Sequence, residues 1–159
     1  MAHKYNLKFI LDATQISGVR RIDIKKDNID ILCCAGHKGL YGPSGVGLLV
    51  LNDNTDINTI VEGGTGSNSL NYSQPEFLPD RFESGTPNII GIIGLSSALD
   101  FIMGIGVEKI YNHEMNLIKC LYDNLSCNSN INFYTNEICA SNSLAPIISF
   151  NIKNLKSDR

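Results

Sequence analysis

The chain has 159 residues, of which 43% are hydrophobic and 18% charged, with a formal net charge of −3. That length suits one compact domain, and that composition is globular, with no low-complexity tract. A small negative charge argues against nucleic acid or an anionic membrane as partner, and no apolar run is long enough for a transmembrane helix.

The first residues, Met1-Ala2-His3-Lys4-Tyr5-Asn6, lack the apolar core of a signal peptide, so a cytoplasmic location is expected. Lys8 to Asp12 follows as a short apolar run. Continuous rather than alternating apolarity predicts a strand covered on both faces. Asp12 ends it, where open α/β folds place ligand contacts. The same carboxylate can also cap the turn that begins at Thr14-Gln15. Residues 13–28 are polar and long enough for a crossover, so the next apolar run, Ile29 to Cys34, is predicted to lie parallel to the first.

Between Ala35 and Gly45 lies a loop with four glycines and one proline, too short for a second crossover. Val46 to Leu51 is therefore predicted to run antiparallel to a neighbour, giving a mixed sheet. The loop holds His37 and Lys38. A lysine held near a core can become a neutral amine able to attack a carbonyl, although an ordinary solvated lysine is the better reading of Lys38 considered alone. Gly42 to Gly47 invites comparison with a phosphate-binding P-loop, but here the lysine precedes the glycines and a strand follows them. The dinucleotide fingerprint fails too, since no helix opens after the glycines.

Asn52 to Asn58 is a polar connection. Glu62 to Ser69 is a second glycine-rich stretch, able to cradle an anion or simply to flex. Pro75, Pro79 and Pro87 keep the following segment irregular. Asn88 is a predicted N-cap for a helix carrying Ile89, Ile92, Leu95, Leu99 and Ile102 at helical spacing, stopping near Gly104 or Gly106. A second helix is predicted over Val107 to Leu125, then strands at Ile131 to Tyr134 and Pro146 to Ile152, the latter with Ile148, Phe150 and Ile152 on one face.

Five cysteines, Cys33, Cys34, Cys120, Cys127 and Cys139, show no C-x-x-C spacing, so neither a disulfide framework nor a zinc knuckle is indicated. Cys33 and Cys34, with His37 nearby, point to opposite faces of a strand and cannot easily share one metal ion; small buried thiols are the better reading.

Asp12 and Lys38 both stand just beyond the carboxyl ends of adjacent apolar strands, which lie about 5 Å apart. Gln15 and His37 accompany them. A carboxylate, an amine and a possible anion site are what pyridoxal phosphate requires. Asp12-Ala13-Thr14-Gln15, Gly36-His37-Lys38, Tyr41-Gly42-Pro43 with Gly45 and Gly47, Arg81-Phe82-Glu83 with Gly85-Thr86-Pro87-Asn88, and Gly91-Ile92-Ile93-Gly94-Leu95 occur in order. In these motifs the chain resembles the class V aminotransferases of the fold-type I pyridoxal-phosphate enzymes, above all the cysteine desulfurase and selenocysteine lyase group.

The resemblance implies an α/β fold: residues 1–104 as the C-terminal part of the cofactor-binding large domain, with a mixed, mostly parallel sheet, and residues 105–159 as an incomplete small α+β domain. It implies pyridoxal 5′-phosphate as cofactor, a small amino acid as substrate, a homodimer, and either elimination of sulfur from cysteine or transamination. Lys38 is implied as the residue that forms the aldimine and then moves the Cα proton. Asp12 is implied as partner of the ring nitrogen, Gln15 of the phenolic oxygen, and His37 of the phosphate. Thr65 is implied to reach the phosphate of the other subunit. No metal is implied.

Three departures qualify this. Ala35 stands where family members carry Ser or Thr, and a lost hydrogen bond to a charged group costs roughly 1.5–3 kcal/mol, so weaker cofactor binding is expected. The chain is only about two-fifths of a typical member's length, well short of the completed domains. The phosphate-binding turn and the stacking aromatic, often His, fall outside it. So does the region of the sulfur-accepting cysteine and the carboxylate-binding arginine, and none of the five cysteines matches that motif. An alternative expectation follows: a catalytically inert, truncated chain that keeps the fold's centre. Its exposed strand edges would favour self-association.

Overall fold

The computed structural model describes residues 1–52, 55–67, 70–134 and 145–156. Its main sheet has three strands in the order β1 (Ile10–Asp12), β2 (Ile31–Ala35), β3 (Gly47–Leu51). β1 and β2 are parallel with Asp12 opposite Cys33, and β2 and β3 are antiparallel with Cys33 opposite Leu49 and Ala35 opposite Gly47. Both pairing senses follow from connection length, as the sequence predicts. The first two strands start two residues later than their apolar runs. The backbone N–H groups of Asp30 and Ile31 bond to Phe9 C=O at 3.0 and 3.3 Å, while Asp30 Oδ2 takes the Phe9 N–H at 2.7 Å and His3 Nε2 at 2.7 Å. These contacts pin the strand entrances before the ladder begins. The crossover itself is a run of turns with no regular helix.

Helix α1 (Ile89–Ile105) is capped as expected: Asn88 Oδ1 accepts the Gly91 N–H at 3.0 Å. It buries Gly91, Leu95 and Ile102, a stripe at i, i+4 and about two turns on. Leu95 and Ile102 join Ala13, Ile29, Leu32, Cys34, Leu40 and Ile110 in the core. Burying a side chain such as Leu95 is worth about 2 kcal/mol. The helix is apolar all round, so Ile90 and Met103 remain 86% and 72% exposed. Gly106, at φ 93°, ends α1 by donating its N–H to Ile102 C=O at 2.8 Å. The chain bends there by 82° into α2 (Val107–Leu125). No single helix among the described residues is long and apolar enough to cross a membrane.

A separate two-stranded sheet pairs β4 (Ile131–Phe133) with β5 (Phe150–Ile152), antiparallel. Phe133 sits between Tyr122 of α2, 4.8 Å away, and Phe150, 5.7 Å away, between ring centroids. β5 is shorter than the alternation from Pro146 suggests, because its partner strand offers three residues. Cys34 is buried and Cys33 half-buried, whereas Cys120 and Cys127 are exposed; Cys139 lies outside the described residues.

Candidate active site

The pairing register decides what shares a surface. Residues opposite each other in a ladder project from the same face, so Asp12, Cys33 and Leu49 form one row across the three strands, with Ala35 and Gly47 beside it. Leu32 and Cys34 project the other way, into the core with α1. The row forms the floor of an open depression of about 570 Å³ lined by Asp12, Thr14, Cys33, Ala35, His37 and Leu49, among others.

At its edge, Asp12 is ionised more readily than an ordinary carboxylate. The Thr14 hydroxyl is the main cause, then the Thr14 backbone N–H, which donates to Asp12 Oδ1 at 3.0 Å, and last the charge of Lys38. The two sequence readings of Asp12 are thus compatible: it caps the turn at Thr14, and it stands at a strand's carboxyl end within electrostatic reach of Lys38. The Cys33 thiol is shifted the other way, upward, by burial first and by Asp12 and Cys34 after it. It stays neutral at ordinary pH and adds no second negative charge beside Asp12.

Lys38 and His37 are exposed at the tip of the loop after β2. The loop's backbone is closed by hydrogen bonds from Gly36 N–H to Val46 C=O (2.9 Å), Tyr41 N–H to Lys38 C=O (2.9 Å) and Gly42 N–H to Gly36 C=O (2.8 Å). The crossover packs directly on it: a Cβ on Gly39 would lie 2.4 Å from Ser17 C=O, and one on Gly18 2.0 Å from Gly39 C=O. Only glycine permits that approach.

The structure places Asp12 and His37 in the lining of one depression; Lys38 follows His37 in the same loop but is not among the lining residues, and its charge is the smallest of the influences on Asp12. Gln15 is exposed and does not line the depression. Thr65 is buried at 6% exposure in the second glycine-rich stretch, and it too is absent from the lining. Ala35 does line it, presenting a methyl group where the resemblance expects a hydroxyl. Sequence reasoning did not single out Cys33 or Thr14 as parts of the wall. Counting the parallel register back from Asp12 would have found Cys33.

A carboxylate at the carboxyl end of β1 and a lysine loop at that of its parallel neighbour β2, with a reversed third strand, define an α/β domain that carries both groups at one end of its sheet. The chain belongs to the class V aminotransferase family, whose profile matches residues 1–159. It is 35% identical over 166 aligned positions to a probable cysteine desulfurase of Borreliella burgdorferi, covering 99% of this chain and 38% of that protein. It is 36% identical over 160 positions to a cysteine desulfurase of Wigglesworthia glossinidia brevipalpis, covering 98% and 38%. Among solved structures, the apo cysteine desulfurase of Thermococcus onnurineus superposes with TM-score 0.76 at 31% identity, covering 97% of this chain and 39% of that one. The cysteine desulfurase CsdA of Escherichia coli superposes with TM-score 0.80 at 21% identity, covering 99% and 39%, a likeness of fold. The chain thus spans about two-fifths of the length of the relatives it matches.

Proposed function

We propose that this chain carries the lysine centre of a pyridoxal-phosphate enzyme of the cysteine desulfurase type, acting on a small amino acid within a homodimer. The observation that carries the reading is the placement of Asp12 and of the loop bearing His37 and Lys38 at the carboxyl ends of the parallel neighbours β1 and β2, with Asp12 and His37 lining one depression. The donor set fits the cofactor: an anion held charged by Thr14 and an imidazole line one depression, and a primary amine follows the imidazole in the same loop. When bound, pyridoxal phosphate supplies an electron-withdrawing ring that stabilises negative charge at the substrate Cα. Asp12 keeps a ring nitrogen protonated by pairing with it. Lys38 Nζ holds the cofactor and then accepts and returns the proton at Cα. His37 serves the phosphate, Gln15 the phenolic oxygen, and Thr65 the phosphate of a second subunit. Residues 1–104 form part of the cofactor domain and 105–159 the start of a small domain, a division supported by the two separate sheets.

Ala35 favours a second reading, in which the chain keeps the fold and binds the cofactor too weakly to work: its methyl group cannot donate to a phosphate. One experiment separates the two. The chain is incubated with pyridoxal phosphate, reduced with borohydride, and mapped by peptide mass spectrometry. Stoichiometric label on Lys38, lost in Asp12→Ala, is the result expected. Label scattered over several lysines would sink the cofactor reading.

A further inference from the structure

Tyr41 stands in the lysine loop, and the chemistry above gives it no task. Its backbone lies in the left-handed region, at φ 55°. A bulky residue is strained there, and such strain persists where the surroundings over-determine the conformation. Tyr41 is 49% exposed, and three contacts hold it. The Tyr41 N–H donates to Lys38 C=O at 2.9 Å, closing the turn that carries the lysine. The ring meets Phe101 of α1 edge-on, with centroids 6.2 Å apart and planes at 75°, a favourable aromatic geometry. The hydroxyl donates to Glu114 Oε1 of α2 at 3.4 Å. Burial first, and Glu114 second, raise the phenol's pKa, so it remains a donor at neutral pH. The next residue, Gly42, is fixed as well, since a Cβ there would lie 2.8 Å from Leu95 Cδ1. Lys38 itself is exposed, so its placement depends on the loop backbone.

We propose that Tyr41 is a positioning residue for Lys38, anchored to Glu114 on α2 and Phe101 on α1, so that the seating of α2 against α1 sets where the lysine amine stands. The tether joins the two halves of the chain: Tyr41 belongs to the cofactor part and Glu114 to the part proposed as the small domain. A shift of α2 is passed to the lysine turn through one side chain. The inference rests on Lys38 being the cofactor-bearing amine.

The test uses Tyr41→Phe and Glu114→Met, singly and together, with Glu108→Met on the same helix as control and melting midpoints as a check on folding. Two readouts are compared: amide hydrogen exchange of a peptide spanning residues 36–43, and the selectivity of borohydride-fixed pyridoxal phosphate for Lys38. Each single variant is expected to speed exchange in the loop about fivefold and to lower Lys38 selectivity by a similar factor, the scale of one net hydrogen bond. The double variant should do no more than either alone, and Glu108→Met should change neither. Unchanged exchange, or effects that multiply in the double variant, would overturn the tether. Faster exchange with undiminished selectivity for Lys38 would overturn the positioning role. Absence of selective label on the unaltered chain would instead sink the cofactor reading, and with it the positioning role; exchange would then decide the tether alone.

Discussion

The chain has two glycine-rich loops, after β2 and at Glu62 to Ser67, and their glycines serve different physical ends. In the lysine loop, Cβ atoms on Gly36, Gly39 and Gly42 would lie 2.8, 2.4 and 2.8 Å from Val46 C=O, Ser17 C=O and Leu95 Cδ1. In the second loop, Gly63 and Gly66 have nothing within 4 Å of such a Cβ among the described residues. Gly64 approaches Gly85, which donates its N–H to Gly63 C=O at 3.0 Å. The first loop uses glycine to let three pieces of chain meet; the second uses it for backbone conformation, with Gly63 and Gly64 at φ 105° and 71°. Composition alone does not separate the two cases. What separates them is whether another part of the chain is packed against the loop.

The comparison breaks most visibly at Gly39. Gly39→Ala must displace Ser17 backbone rather than a flexible side chain, and a loss of about 3 kcal/mol is expected, read as a lower urea midpoint with unchanged slope. A neutral result would mean that the crossover does not bear on the lysine loop. Asn88 sharpens the contrast at intermediate scale. Besides capping α1, its Nδ2 donates to Gly45 C=O at 3.2 Å, bracing the far end of the lysine loop. Asn88→Ala is expected to cost about 1 kcal/mol in thermal or urea unfolding. Asn88→Ser should restore the cap alone, so any remaining deficit measures the brace to Gly45. At the small end, Gly66→Ala should stay within about 0.5 kcal/mol of the parent, because φ there is ordinary and the space is open. A cost matching that of Gly39→Ala would show that something covers this loop in solution.

The sheet was legible because strand pairing depends on connection length, and the helices because Asn88, Gly106 and the apolar spacing mark their ends. The strand starts were less legible. Phe9 and Asp30 look like strand residues, but their polar groups are taken by contacts that close the strand entrances. In the site, position pointed to Asp12 and Lys38, which follow the carboxyl ends of adjacent apolar strands; residue type alone did not, since a turn cap and a solvated lysine explain each of them separately. Cys33 went unnoticed because its position in the site comes from cross-strand register, which local sequence does not display. Gln15 and Thr65 were carried by likeness alone, and they, like Lys38, are not among the residues that line the depression with Asp12.

The ladder that aligns Asp12 with Cys33 also works as a ruler. Lys38 follows Cys33 by a fixed count of residues, so the root of its loop is set relative to Asp12 by backbone hydrogen bonds and not by the side chains of the site. A slip of one residue in β2 would carry the lysine about 3.3 Å along the strand and turn Cys33 and Ala35 away from the depression, with Cys34 exposed in their place. Side chains on that floor can therefore be exchanged with the spacing intact, as the methyl of Ala35 illustrates, whereas a single inserted or deleted residue between Ile31 and Lys38 would misplace the amine whatever the rest of the site contained.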